Sequence, residues 1–378
     1  MIVAGEVSGD QHAARLARRL HRRAPGLELI GMGGSAMRAA GVRLLVDSTE
    51  LAVVGVVEVL RHYPRLRTAL RRLQQALRTD RPGLLVLVDY PDFNLRLARA
   101  AKALGIPVLY YVSPQVWAWR KGRVHSIARL VDHMAVLFPF EVDIYRQAGL
   151  PVTFTGHPLA ETVQPTAPRQ ATLERWGLDP GRRTVALLPG SRRSEIRRLL
   201  EPALQTAERL LERDPSLQFI LPVAPGLDAR LLTPWLDRHA LPLALAVDDT
   251  VNAVAAADAA LTASGTATLV VGLLGTPLVV YYKVAPLTYL LGRLLVRGVR
   301  HIGMVNVLAG REIAPEFIQY QARPRRLAAA LWGLLAEPDR VRRMRSELAA
   351  LRQQLQRPAQ NPDVEEIALR LLNRRPGH

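Results

Sequence analysis

Cysteine is absent from the 378-residue sequence, which excludes a disulfide framework and thiolate chemistry and suits a reducing compartment. Aromatic residues make up only 5% of the chain. That scarcity argues against a single-strand nucleic-acid binder, whose basic groove is interleaved with stacking rings. No basic segment followed by an apolar stretch opens the sequence, so no secretory signal is expected. An unbroken membrane-length apolar run is missing too. The uncharged stretch from Ala259 to Tyr282 is long enough, but Ser264, Gly265, Gly272, Gly275 and Pro277 divide it into strand, loop, helix and strand. A G-x-G-x-x-G fingerprint is lacking after the first strand; Gly31-Met32-Gly33-Gly34-Ser35 follows the second strand instead and reads as a tight turn, so no NAD is assigned.

Acidic residues are few against basic ones, and the formal net charge is +18. Nucleic acid, an anionic membrane surface or phosphorylated substrates could each answer such a charge. The arginines are spread over most expected helices (Arg15, Arg18, Arg65, Arg71 and Arg78 among them), so solvated helix faces account for most of it. The length suits two domains.

What is present is organised around Leu84-Leu85-Val86-Leu87-Val88 and the Asp89-Tyr90-Pro91-Asp92-Phe93-Asn94 that follows. The apolar run is too short for a helix and has no polar side, so it predicts a strand buried on both faces of a parallel sheet. Pro91 cannot extend that strand but can open a helix, placing Asp89 and Asp92 at a strand's carboxyl end, where open α/β sheets bind ligands. Helix capping is the alternative for either acid.

Met1 to Ala4, then Gly5-Glu6-Val7-Ser8-Gly9-Asp10, then a helix through His12 and Leu20, make an opening strand–turn–helix unit in which Ser8 or Asp10 can cap the helix. The first strand is short for a central one. Leu51 to Leu60 is unusually apolar and is followed by Arg61, His62 and Arg65; it predicts either a core helix or a patch lying in a membrane interface. Ser113-Pro114-Gln115-Val116-Trp117-Ala118-Trp119-Arg120-Lys121 forms an aromatic and cationic loop after the strand at Pro107 to Val112. A second α/β series begins at Thr184 to Leu188, followed by Pro189-Gly190-Ser191-Arg192. Free amides at that helix start predict an anion site to which Arg192 adds charge, an ordinary capped turn being the alternative. Ser264-Gly265-Thr266-Ala267-Thr268 offers small hydroxyls and amides at another helix start. The series divide the chain into 1–162, a Pro-containing linker 163–170, a second domain 171–350 and a helical tail 351–378.

Six ordered segments (Gly5 to Asp10, Asp89 to Asn94, Tyr111 to Arg120, Leu188 to Arg192, Ala263 to Thr268 and Asn306 to Arg311) closely resemble the lipid-A-disaccharide synthase family. The resemblance implies a GT-B-like α/β fold, two Rossmann-like domains facing a cleft with C-terminal helices. It implies an inverting glycosyltransferase that condenses UDP-2,3-diacylglucosamine with 2,3-diacylglucosamine 1-phosphate, working peripherally on the inner face of the cytoplasmic membrane. It puts the donor on the second domain and the acceptor on the first. Such a transfer needs a base for the acceptor hydroxyl and charge stabilisation for the departing diphosphate. Asp92 is the expected base, with Asp89 or His12 orienting it or the sugar. Gly190, Ser191 and Arg192 are expected on the diphosphate, and Gly5, Glu6, Ser8, Gly9, Asp10, Asn94, Ser113, Gln115, Trp117, Ser264, Gly265, Thr266, Thr268, Asn306 and Arg311 elsewhere on the substrates. No Asp-x-Asp metal motif is evident, so neither metal nor cofactor is expected. Val270 stands where the family usually has a Glu, and Val305 where it has a Pro. Rival readings are another UDP-sugar enzyme of this architecture, such as a UDP-N-acetylglucosamine 2-epimerase, and a basic protein that binds nucleic acid or membrane without catalysis.

Overall fold

The run before Asp89 is a strand whose four side chains, Leu85 to Val88, are at most 2% exposed. In the computed structural model, which describes residues 1–51, 56–116, 122–285, 289 and 300–373, it lies inside a seven-stranded parallel sheet. The strands are β1 (Ile2–Ala4), β2 (Ile30–Gly33), β3 (Arg43–Asp47), β4 (Leu85–Val88), β5 (Val108–Tyr111), β6 (His133–Val136) and β7 (Val152–Phe154), in the order β3-β2-β1-β4-β5-β6-β7. Ile2, Val3 and Ala4 of β1 pair with Val86, Leu87 and Val88, so the strand order reverses between β1 and β4. Burying each such side chain is worth about 1.5–3 kcal/mol, so a charge at Leu87 would unseat the centre of this sheet. The helix Val7–Arg23 packs Ala13, Ala14, Leu16, Ala17 and Leu20 inward and leaves its arginines outside.

A second parallel sheet has the same winding. Its strands are β8 (Thr184–Leu188), β9 (Gln218–Val223), β10 (Leu243–Val247), β11 (Ala259–Ala263), β12 (Leu278–Tyr282) and β13 (Glu316–Ile318), in the order β10-β9-β8-β11-β12-β13. Here the reversal falls between β8 and β11. The buried faces of the helices Arg193–Leu211, Thr266–Leu273, Pro324–Ala336 and Pro338–Leu355 cover this sheet.

The chain divides into one unit of residues 1–156 with 357–378 and another of 157–356. These limits differ from those read in the sequence at both crossings. The segment expected as a linker belongs to the second unit: the Thr166 and Ala167 amides donate to Asn252 Oδ1 at 2.7 and 3.2 Å. The closing residues return to the first unit, because the helix Val364–Asn373 buries Val364, Ile367, Ala368 and Leu371 in a core shared with Ile2, Val86 and Leu109. Gly156, at φ 76°, allows the close approach there; a Cβ would meet the Arg357 backbone nitrogen at 2.8 Å. Among the described residues no helix is long and apolar enough to cross a membrane. Residues 52–55 of the apolar Leu51 to Leu60 segment lie outside the described residues, and the side chains of the others are not described either.

Candidate active site

In the first unit the loops after β1 and β4 sit on either side of the reversal point, where a doubly wound sheet leaves a crevice. Asp89 and Tyr90 both have φ of 48°, a left-handed conformation that costs a non-glycine residue about 1–3 kcal/mol. The fully buried Asn94 holds them there. Its Nδ2 donates to the Val88 carbonyl at 3.2 Å and the Asp89 carbonyl at 2.7 Å, and the Tyr110 hydroxyl donates to the same Asp89 carbonyl at 2.6 Å. The two tight bends turn the chain so that Pro91 opens the helix Pro91–Ala103 with Asp92 in its first turn. Gly5 is required opposite, since a Cβ there would come within 2.3 Å of the Tyr90 ring.

The two acids differ in surroundings. Asp92 has a side chain 69% exposed and an ion pair to Arg123 at 2.6 Å. Asp89 is largely withdrawn from water; that burial, with the Glu6 charge adding to it, pushes its carboxyl up to about 6, against a lowering hydrogen bond from the Tyr90 backbone. Glu6 and Ser8 are exposed at the start of the helix Val7–Arg23, and Gly9 is buried against Ala4. His12 packs its ring edge-on to Tyr111, with centroids 5.8 Å apart; burial, then the Arg15 charge, lowers it to about 4, so it is neutral at physiological pH.

Other expected ligands are absorbed by the fold. The Asp10 carboxylate is buried and accepts the amides of Gly34, Ala36 and Met37 at 2.7, 3.0 and 3.1 Å, capping the helix Ser35–Ala39 rather than its own. Ser113 is buried and donates through a short hydrogen bond to Glu141. Glu141 also accepts the Phe138 amide, and burial pushes its carboxyl up to about 7 despite these bonds. Glu141 escaped the sequence reading, although an acid in the first helical turn after β6 is the signal that singled out Asp92. Gln115 is exposed. Trp117, with Trp119, Arg120 and Lys121, lies outside the described residues.

In the second unit the Gly190 turn has the form of a capped turn, the alternative that the sequence left open. Glu195 Oε2 accepts the Ser191 amide at 2.9 Å and the Arg192 amide at 3.2 Å, and Oε1 lies 3.4 Å from the Arg192 guanidinium. A carboxylate of the chain itself thus fills the place expected for a phosphate. Gly190, at φ 113°, makes room for it; a Cβ would fall 2.5 Å from Glu195 Oε2. The loop after β11 is open by contrast. Gly265 and Thr266 are exposed, and Gly265, the N-cap of the helix Thr266–Leu273, has no side chain to cap it. Ser264 Oγ donates to the Ile302 carbonyl at 2.7 Å; Thr268, fully buried, donates to the Gly265 carbonyl at 2.8 Å and accepts the Met304 amide at 2.9 Å.

Asn306 and Arg311 follow the Ile302 to Met304 segment that these bonds tie to the loop. Buried Asn306 donates to the Ala314 carbonyl and Glu316 and accepts the amides of Ile313 and Ala314, so both ends of its amide are engaged within the chain. Arg311 is exposed and paired with Glu347.

The family model described as lipid-A-disaccharide synthetase matches residues 1–371. The chain belongs to this family. The lipid-A-disaccharide synthase of Geobacter sulfurreducens is 48% identical over 99% of this chain and 97% of its own, and that of Nitrosococcus oceani 48% identical over 98% and 95%. Among solved structures, the glycosyltransferase of kitacinnamycin aligns over 98% of both chains with a TM-score of 0.63 at 18% identity. The UDP-GlcNAc 2-epimerase of Neisseria meningitidis bound to UDP-GlcNAc aligns over 98% of both with a TM-score of 0.60 at 10% identity. These likenesses establish the fold as GT-B-like, with two Rossmann-like domains. Against the family pattern, Val305 is buried, and its Cγ1 lies where a Cβ on Gly272 would come within 2.6 Å; the position serves packing. Val270 is partly exposed on the helix Thr266–Leu273 and brings no carboxylate to its surface.

Proposed function

We propose that the chain transfers 2,3-diacylglucosamine from its UDP derivative to the 6-hydroxyl of 2,3-diacylglucosamine 1-phosphate, giving a β-1,6-linked disaccharide 1-phosphate and UDP. What carries this reading is the family match over residues 1–371. The chemistry of the strand-end residues agrees with it. In a single displacement the acceptor oxygen attacks the anomeric carbon, its proton passes to a carboxylate, and the carbon–oxygen bond to the diphosphate breaks with its electron pair on UDP. Asp92 is the base in this reading, because a base must reach the acceptor hydroxyl, and its side chain is exposed while Asp89 is largely buried. Asp89 and neutral His12 then position the first unit's substrate-side loops. The second unit holds the donor at the loops after β8 and β11, the reversal point of its sheet.

Both substrates carry acyl chains, so the reading includes peripheral contact with an anionic membrane on its cytoplasmic side. The excess of arginine and the apolar Leu51 to Leu60 segment support that contact. Incubation with both acylated sugars tests the whole proposal: UDP and the disaccharide should appear together. Isomerised UDP-sugar with the acceptor left intact would favour an epimerase and sink the transferase reading.

A further inference from the structure

The first-strand turn of the second unit has its amides taken by Glu195, so the negative charge of a sugar nucleotide needs a cation elsewhere at the carboxyl end of this sheet. Lys283 is placed for it. It follows β12 directly at the carboxyl end of the sheet, two residues after the Tyr281 that pairs with Ala263 of the neighbouring strand β11. That is the end of the sheet where ligands of such folds lie. Lys283 is half-buried, and among the described residues no carboxylate pairs with its ammonium. Partial burial lowers its pKa with no opposing charge to restore it. A half-buried cation without a counter-charge is one that a ligand's anion can partner. Its neighbour Tyr282 lies near Glu195, whose charge raises the phenol's pKa after burial does, so β12 ends beside the occupied turn as well.

We propose that Lys283 binds the diphosphate of the nucleoside-diphosphate sugar and neutralises the charge that grows on it as it leaves, the role for which the sequence offers Arg192. This rests on the transferase reading above and adds a named residue to it. Arg192 is exposed and engaged with Glu195, whereas the Lys283 ammonium meets no carboxylate of the described chain.

Calorimetric titration of UDP and of uridine into the full-length protein and its variants tests this. Lys283→Met should weaken UDP binding about ten- to hundredfold, the worth of one charge-assisted hydrogen bond, and leave uridine affinity unchanged. Lys283→Arg should recover most of the UDP affinity, and Arg192→Ala should lose less than Lys283→Met. Thermal melting of each variant confirms its fold, and the conservative Arg variant keeps the test open should Met unfold the loop. Equal UDP affinity in wild type and Lys283→Met, or an equal loss for uridine and UDP, overturns the assignment alone. Wild-type protein with no affinity for UDP overturns the donor reading together with it.

Discussion

Glu195 accepts the Ser191 amide at 2.9 Å and so closes, from within the chain, the helix start that follows β8. The contact is one half of a capping arrangement, with the Arg192 amide as the other donor. Glu195→Ala should therefore destabilise the second unit by about 1 kcal/mol, the usual worth of a lost cap. Because the carboxylate competes with any anion there, the same variant should keep or improve UDP affinity. Urea denaturation and UDP titration check the two halves; a variant that loses UDP binding while staying folded would make Glu195 a ligand-holding residue instead.

Asp92→Asn retains the size and much of the hydrogen bonding of the side chain, including a partner for Arg123, but cannot take up a proton. General-base catalysis is worth about a hundred- to ten-thousandfold, so turnover should fall by that order while UDP binding stays at the wild-type level. Near-normal turnover in Asp92→Asn beside a dead Asp89→Asn would move the base to the buried acid.

The sequence and the structure agree most closely where an apolar run is followed by turn chemistry. The strand before Asp89, the glycine turn after β1 and the second series from Thr184 could all be read, since burial on both faces and a sharp strand-to-helix turn leave direct marks on residue choice. Less legible was how polar side chains divide their bonds. Asp10 lies in the first turn of one helix yet caps another 24–27 residues along, and Asn306 is consumed by its own loop. Such pairings depend on tertiary placement, which spacing does not encode. Lys283 was passed over because a single lysine after a strand is ordinary in sequence; its want of a counter-charge is visible only once its neighbours are known.

Tyr110 supports the strained turn through one hydroxyl, donated to the Asp89 carbonyl at 2.6 Å. Tyr110→Phe removes that bond and leaves the ring packed in the core of the first unit. A loss of about 1–2 kcal/mol in stability should follow, the cost of a buried carbonyl losing a partner. Asn94 continues to bond the same carbonyl, so the turn should persist and the kcat decline be modest. Calorimetric melting and initial rates measure both; unchanged stability would mean that Asn94 alone fixes Asp89.

Asp89 should also leave a signature in the pH dependence of folding. Its carboxyl titrates at about 6 in the folded protein against an ordinary 3.8, with burial the chief cause and Glu6 the second. Between those values the folded state binds more protons than the unfolded one, so this group's contribution to stability falls as pH rises through the window and is fully unfavourable above it. The difference of roughly two units, at about 1.4 kcal/mol each, amounts to about 3 kcal/mol. Asp89→Asn cannot ionise, so relative to wild type it should gain stability as pH rises from 4 to 7.5. His12 acts in the opposite sense: lowered from 6.5 to about 4, it costs the folded state stability as pH falls through that range. The His12 contribution is present in both proteins, so comparing Asp89→Asn with wild type at each pH largely removes it. Urea titrations at pH 4, 5, 6 and 7.5 provide the comparison. A stability difference that stays flat from pH 4 to 7.5 would show that Asp89 is ionised throughout in the folded chain, and that its surroundings do not hold the proton back.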